Sequence, residues 1–432
     1  MEELLHYVWK HKIYPLTPLS TTDGQRVEVI DPGLSNPHAG PDFFNAKLRI
    51  DDEVWVGNVE VHHLASDWLR HGHTQDSSYD NVILHVVEVA DAEVCCSNGR
   101  KVPQLVLPIP EEVSQRYEEL LHTDHYPPCY KIVPDLPPLK VHAWLSALQI
   151  ERMEQKTTAI SHRLKATCNH WEDVFFITLA RNFGFGVNSE AFEWWATHLP
   201  FRAADKHRDN LFQLEALFLG TAGLLTGETM KAEKESPDPY YEQLKREYIY
   251  LAHKFSLDTS LPVPPWRMLR LRPNNFPHLR LAQLASLYHR EHALFSRAME
   301  AASVEEARKL FHVEPSDYWQ HHYHFGAPSE QRGKKLSISS LNLIIINTVV
   351  PFLYAFGMHS GHEELCQRAF LFLEELKPEA NYVTRMWSAA GITATHAGES
   401  QALIQLQTTY CDKKECLRCR FGYEYLKGQK RE

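Results

Sequence analysis

Between residues 41 and 85, the carboxylates of Asp42 and Glu60 and a run of imidazoles are placed to do chemistry together. Asp42 follows Pro41 at the start of one alternating segment, Glu60-Val61-His62 ends the next, and His63, His71, His73 and His85 come soon after. An extended chain repeats every two residues, so Val56, Asn58, Glu60 and His62 share one face while Trp55, Val59 and Val61 take the other. A carboxylate and an imidazole therefore point the same way from one strand. Hydrolysing a phosphodiester requires a water that is nucleophilic near neutral pH and charge stabilisation on the leaving oxygen. A Mg2+ or Mn2+ ion held by one or two carboxylates supplies both. Asp42 and Glu60 are the expected ligands, with the Val61 carbonyl as a third and His62 as the acid–base group.

The remaining histidines widen that chemistry. If residues 65–80 form a helix, His73, Asp76 and Asp80 share its face at spacings of three and four. His73 and Asp76 then join the catalytic set, where they would bind phosphate, steady the metal ligands, or hold Zn2+ or Mn2+ directly. His85 lies in an apolar segment, where a core histidine bonded to the backbone is the ordinary reading.

A second group of metal-type residues lies at the other end of the chain. YCDKKECLRC places Cys411, Cys416 and Cys419 in a C-x4-C-x2-C spacing. The C-x2-C part suits a tetrahedral thiolate site, and the fourth ligand must come from a distance. Cys129, in the PPC stretch, is preferred over Cys366, Cys168 or a histidine. Three reduced cysteines without an ion are the alternative.

These residues need elements to position them. Residues 2–12 read as an amphipathic helix with Glu2 and Glu3 at its start. QRVEVIDPG, Phe43 to Ile50, Val54 to His63, Asn81 to Val89 and Lys101 to Leu107 read as strands, with Asp51-Asp52 a turn and Ala65 to Asp80 a helix. The proline-rich stretch 125–140 reads as a linker. From His142 onward the period is helical throughout. The expected fold is α+β: a small α/β domain over 1–124, the linker 125–140, and a large irregular helical domain over 141–432 that carries the cysteine cluster.

The order helix, three strands, helix, strand, with Asp42 opening the second strand and Glu60-x-His62 near the end of the third, resembles the core of the PD-(D/E)XK nuclease superfamily. That resemblance implies a metal-dependent nuclease, with Glu2 or Glu3 available to complete the site from the first helix. A lysine stands in the superfamily pattern where this chain has His62, and histidine also binds softer metals. Some of these nucleases hold an iron–sulfur cluster by one distant cysteine and a closely spaced trio. A [4Fe-4S] cluster or Zn2+ on Cys129, Cys411, Cys416 and Cys419 resembles that plan. Across nearly its whole length, through GNVEVHHLASDWLRHGHTQDSSYDNVILHVV, RNFGFGVNSEAF, LEALFLGTAGLL, LRPNNFPHLRLAQLA and YCDKKECLRC, the chain is similar to a bacterial family of the Bacteroidetes type defined by a domain of unknown function.

Composition limits the partners. The formal charge is -10 over 432 residues, and residues 1–130 carry 9 Lys+Arg against 21 Asp+Glu, which leaves the remainder slightly basic. The acidic part does not attract nucleic acid but suits divalent cations. In the basic part, Arg267, Arg270, Arg272 and Arg280 surround an aromatic and two prolines and are the expected grip on phosphate and bases. The other reading is that they pair with the acidic domain. RNFGFGVN, with Asn182 and Asn188, is a glycine-mediated turn between helices, and the sequence holds no nucleoside-triphosphate fingerprint. No export signal opens the chain, and the apolar stretch Leu341 to Phe356 is broken by Asn342, Asn347 and Pro351, so a cytoplasmic protein without a membrane span is expected.

Three functions follow. The first is a metal-dependent nuclease acting on nucleic acid, with DNA the expected form. The second is a nuclease-like nucleic-acid-binding or assembly module without efficient chemistry. The third is a transition-metal phosphoesterase built on the histidines.

Overall fold

The computed structural model describes residues 2–14, 18–36, 38–225, 238–258, 262–329 and 334–428. It is mixed α+β and divides into two compact units. The first comprises Met1–Lys140, Met386–Ile392 and Leu406–Glu432; the second comprises Val141–Arg385 and Thr393–Gln405.

The first unit opens with α1 (Glu2–His11), acidic in its first turn and basic in its last, as the helix dipole favours. Leu4, Leu5, Val8 and Trp9 are its buried side. One sheet follows: β1 (Leu19–Ser20), β2 (Arg26–Asp31), β3 (Leu34–Ser35), β4 (Phe43–Ile50), β5 (Glu53–Leu64), β6 (Val82–Val89) and β7 (Gln104–Val106). Its order is β1-β2-β4-β5-β6-β7, with β3 beside β4. β2, β4 and β5 run antiparallel, whereas β5, β6 and β7 are mutually parallel neighbours. β6 is buried along most of its length on both faces, as a parallel strand inside a sheet must be. Its register sets Glu60 beside His85 and His62 beside Val87. Gly57 permits this close pairing, because a Cβ there would lie 2.4 Å from Ile83 Cγ2 and 2.7 Å from the Asn81 carbonyl oxygen.

The connection from β5 to β6 corrects the expected helix over 65–80. Only α2 (Asp67–Arg70) is helical, and single 3-10 turns at His73–Gln75 and Ser77–Tyr79 follow it. Gly72 takes a left-handed φ of 78°, and Asp76 is extended, its carboxylate accepting the Ser78 amide at 2.9 Å. Those local bonds compete successfully with helix propagation. His73, Asp76 and Asp80 therefore share no helix face. The last strand is shorter than expected, Gln104–Val106, with Pro103 before it.

Residues 125–140 contain a 3-10 turn at Val133–Asp135 and cluster with the first unit. So does the C-terminal segment 406–432, which helical periodicity alone had assigned to the helical domain. Its helix Arg420–Lys427 meets α3 (Glu111–His122), where Arg116 donates to the Leu426 carbonyl at 3.1 Å and the Tyr425 hydroxyl donates to Glu119.

The second unit is helical apart from a two-stranded antiparallel sheet, His322–His324 with Ala327–Pro328, and Phe175, Phe183, Phe192, Phe218, Phe311 and Phe352 are wholly buried in its core. The segment Ile338–Ser360 is long and apolar enough to cross a membrane by length and composition, but 67% of its most apolar window is buried within the protein. A π turn, Ile345–Val349, interrupts it. Pro351 has no amide hydrogen to give Asn347, and the Asn347 carbonyl accepts from Asn182 Nδ2 at 2.8 Å instead.

Asp238 caps the helix Pro239–Lys254 and holds a second segment to it. Its carboxylate accepts from the amides of Tyr240 (2.8 Å), Tyr241 (3.3 Å) and Gly326 (3.0 Å) and from the Tyr318 hydroxyl (2.5 Å). Burial pushes this carboxyl up, but the four donors together hold it below the ordinary aspartate value. The unfolded chain therefore binds the proton more tightly, and the stabilisation is complete above about pH 4 and lost as pH falls through the lower folded value. Asp238→Ala is expected to cost roughly 2 kcal/mol in urea denaturation at pH 7, with the difference from wild type shrinking in acid.

Candidate metal centre

The centre is assembled by β5, the start of β4, the β5–β6 connection and α1. Asp42 and Glu60 hold each other through the backbone: the Asp42 amide donates to Glu60 Oε2 at 3.1 Å, and the Val61 amide donates to Asp42 Oδ2 at 2.9 Å. Glu60 is 4% exposed and His62 2%. The second oxygen of Glu60, Oε1, lies 3.5 Å from His62 Nε2 and 3.3 Å from His73 Nε2. His71 Nδ1 lies 3.2 Å from His62 Nε2. One nitrogen from each of His62, His71 and His73 falls within 4.8 Å of the other two.

Trp68, fully buried, walls in this group. It sets its ring against His73 and His85, while Tyr79 stacks on His73 with ring centroids 3.8 Å apart. His62 turns its other nitrogen, Nδ1, to His85 Nε2 at 2.9 Å. His85 Nδ1 is buried without a hydrogen-bond partner among the described residues. Such a chain fixes one nitrogen of His62 toward its neighbour and frees Nε2 as a lone-pair donor.

The electrostatics follow from burial. Desolvation and the neighbouring imidazoles lower His62 to about 2, and desolvation with His73 lowers His85 to about 3, so both rings are neutral. Burial raises Glu60 against the opposing hydrogen bond from His73, and the charge of Asp42 raises it further. Asp42 is raised by burial and by Glu2, against the pull of His6 and the Val61 amide. Two desolvated carboxylates beside neutral imidazoles form a site that a cation would satisfy.

The expected residues separate into those that meet here and those that do not. Asp42, Glu60, His62 and His73 come together, and His71 and His85 join them. Asp76 is exposed and serves the Ser78 turn. His63 pairs with Glu88 at 2.8 Å. The Val61 carbonyl, the expected third ligand beside Asp42 and Glu60, faces His6 Nε2 at 3.3 Å, and that nitrogen is also 3.6 Å from Asp42 Oδ2. His6 was not among the expected residues. Its signal was present, since His6 lies four residues after Glu2 and so on the same side of the first helix.

In the second unit, Arg267, Arg270 and Arg272 are exposed, but Arg280 is 4% exposed and is not on the surface with them. Its guanidinium donates to Gln283 and Asn275 and lies over the Phe185 ring, an internal role in place of the expected grip on phosphate. Asn188 is buried and exchanges hydrogen bonds with the Arg267 backbone.

Fold and centre together define a mixed α+β protein with a buried carboxylate–imidazole cluster at the antiparallel-to-parallel junction of its sheet. The chain belongs to the family described as protein of unknown function (DUF2851), whose model matches residues 2–382. The whole carboxylate–imidazole cluster lies inside that span; Cys411, Cys416 and Cys419 lie beyond it. No curated protein and no solved structure matches the chain.

Proposed function

We propose that this protein is a metal-dependent phosphodiester hydrolase, a nuclease acting on nucleic acid, whose ion is held by Glu60, His62, His71 and His73. One observation carries the reading: Glu60 Oε1, His62 Nε2, His71 Nδ1 and His73 Nε2 are linked by separations of 3.5, 3.3 and 3.2 Å. Ligands at about 2.0–2.1 Å from a tetrahedral ion lie roughly 3.3 Å from one another, so these three contacts stand near that spacing, while the three imidazole nitrogens, within 4.8 Å of one another, and Glu60, outside that group, would draw together on binding. Three imidazoles favour Zn2+ or Mn2+ over Mg2+. When bound, such an ion supplies Lewis-acid charge at the phosphoryl oxygen and lowers the pKa of a coordinated water.

The chain's own groups do the rest. Glu60 fixes the ligand set through its link to the Asp42 amide. Asp42 and His6 stand together beside it, where His6 Nε2 can exchange a proton with water or substrate. The strand order, with Asp42 at the head of β4 and Glu60 on β5, supports the nuclease reading through its likeness to the PD-(D/E)XK plan. The exposed Arg267, Arg270 and Arg272 suit a polyanion.

The test is cleavage of labelled single- and double-stranded DNA and RNA with Mn2+, Zn2+ or Mg2+. Cleavage that EDTA abolishes and Mn2+ or Zn2+ restores is expected. His71→Ala, which removes the most exposed ligand, is expected to raise the ion concentration needed by about 10–100-fold. No cleavage of any substrate with any ion would replace this reading with a nucleic-acid-binding module.

A further inference from the structure

Four cysteines of the first unit have no part in the centre described above. Cys129, Cys411, Cys416 and Cys419 are 6%, 5%, 7% and 7% exposed. Cys129 lies 282 residues before Cys411 in sequence, yet burial and the neighbouring Cys419 and Cys416 push its thiol up, and burial with Cys419, Cys129 and Cys416 does the same to Cys411. Among the described residues, no three of the four sulfurs stand within 4.8 Å of one another, a wider spacing than the roughly 3.8 Å between thiolates on one tetrahedral ion and one that leaves room for a cluster. A side-chain contact shows the same approach. Lys414, between Cys411 and Cys416, places its ammonium 5.3 Å from the ring centroid of Tyr126, three residues before Cys129.

Buried thiols can be no more than small apolar side chains. The backbone around these is too specialised for that role. A π turn, Leu406–Cys411, delivers Cys411; Lys414 takes a left-handed φ of 58°; and a 3-10 turn, Cys416–Arg418, carries the Cys416 and Cys419 pair. Gly422 then lets the following helix close on this turn, because a Cβ there would lie 2.0 Å from the Cys416 carbonyl oxygen. The charge also fits. Lys413, Lys414, Arg418 and Arg420 outnumber Asp412 and Glu415 by two. Four thiolates on a [4Fe-4S] core of charge +2 leave a surplus of two negative charges.

We propose that Cys129, Cys411, Cys416 and Cys419 bind one structural iron–sulfur cluster through four thiolates, which fastens the C-terminal segment to the first unit. Each thiol gives its proton to solvent as its metal–sulfur bond forms. The helix Arg420–Lys427 starts directly after Cys419, and its Tyr423 packs on His11 of α1, with ring centroids 5.1 Å apart. The centre thus steadies the helix that presents His6, although it does not depend on the nuclease reading.

The test is metal analysis with X-ray absorption on the full chain, produced with both zinc and iron supplied, alongside His73→Ala and Cys416→Ser. Sulfur scatterers at about 2.3 Å are expected around iron, with about four irons per chain persisting in His73→Ala. In Cys416→Ser that metal is expected to be lost and the melting temperature to fall by roughly 10 °C. A wild-type spectrum with only nitrogen and oxygen neighbours, or metal content unchanged in Cys416→Ser, would overturn the proposal. The absorption measurement needs no variant, so a poorly folding mutant leaves the question decidable. Metal content and the scattering neighbours decide the outcome whether or not the protein cleaves nucleic acid.

Discussion

Glu60→Gln is expected to lower phosphodiester cleavage by at least about 10³-fold, roughly 4 kcal/mol of barrier, while leaving the ion-free protein as stable as wild type or slightly more so. The two effects have one origin. Glu60 is almost wholly buried beside Asp42, and burial raises its carboxyl, so without an ion its charge is a cost to folding. Glutamine keeps the volume and an oxygen to accept the Asp42 amide, which wild type receives at 3.1 Å. It removes the negative charge at Oε1, where the imidazoles of His62 and His73 approach. The Mn2+-induced rise in melting temperature should therefore shrink in Glu60→Gln, because bound ion stabilises the folded state by RT ln(1 + L/Kd) at free ion concentration L and the variant binds it more weakly. Parallel thermal scans with and without Mn2+ or Zn2+, beside the cleavage assay, check both parts. A variant that is merely misfolded would lose stability without ion as well.

The second large effect is expected at Trp68, whose replacement by alanine should cost about 3–5 kcal/mol and disperse the imidazoles. Trp68 is fully buried, its Nε1 lies 3.2 Å from both the Thr74 hydroxyl and the Cys95 carbonyl, and its ring lies 5.4 Å from His73 and 5.2 Å from His85. The β5–β6 connection has only one short helix and two turns, so this ring is what its side chains are built on. Trp68→Phe keeps much of the wall and loses the indole hydrogen bond and part of the ring's volume, an expected cost of about 1–2 kcal/mol. Urea denaturation followed by near-ultraviolet circular dichroism gives the ranking. Ion affinity should fall far more in Trp68→Ala than in Trp68→Phe.

Alternation is local, and that made the strands legible in the sequence. Phe43–Ile50 stands where the pattern put it, and the period of two correctly sent Glu60 and His62 the same way. The β5–β6 connection was misread for an equally local reason: its spacings of three and four fit a helix, but Gly72 and the Asp76 turn fit one better ended. What single-chain periodicity cannot show is which distant segments meet. His6 reaches Asp42 only because α1 lies against the sheet. Arg280 looked like its three neighbours until the core closed around it. The return of residues 406–432 to the first unit joins parts hundreds of positions apart, and only the thiol spacing hinted at a distant fourth partner for the C-terminal trio.

The proposed chemistry depends on where an ion binds, and anomalous diffraction from crystals grown with Mn2+ or Zn2+ measures that directly. The prediction is a difference peak within about 2.0–2.2 Å of Glu60 Oε1, His62 Nε2, His71 Nδ1 and His73 Nε2 in the wild type, absent in Glu60→Gln. An ion held elsewhere with these four atoms unligated, or no ion in a first unit whose imidazoles stand as described, would contradict it.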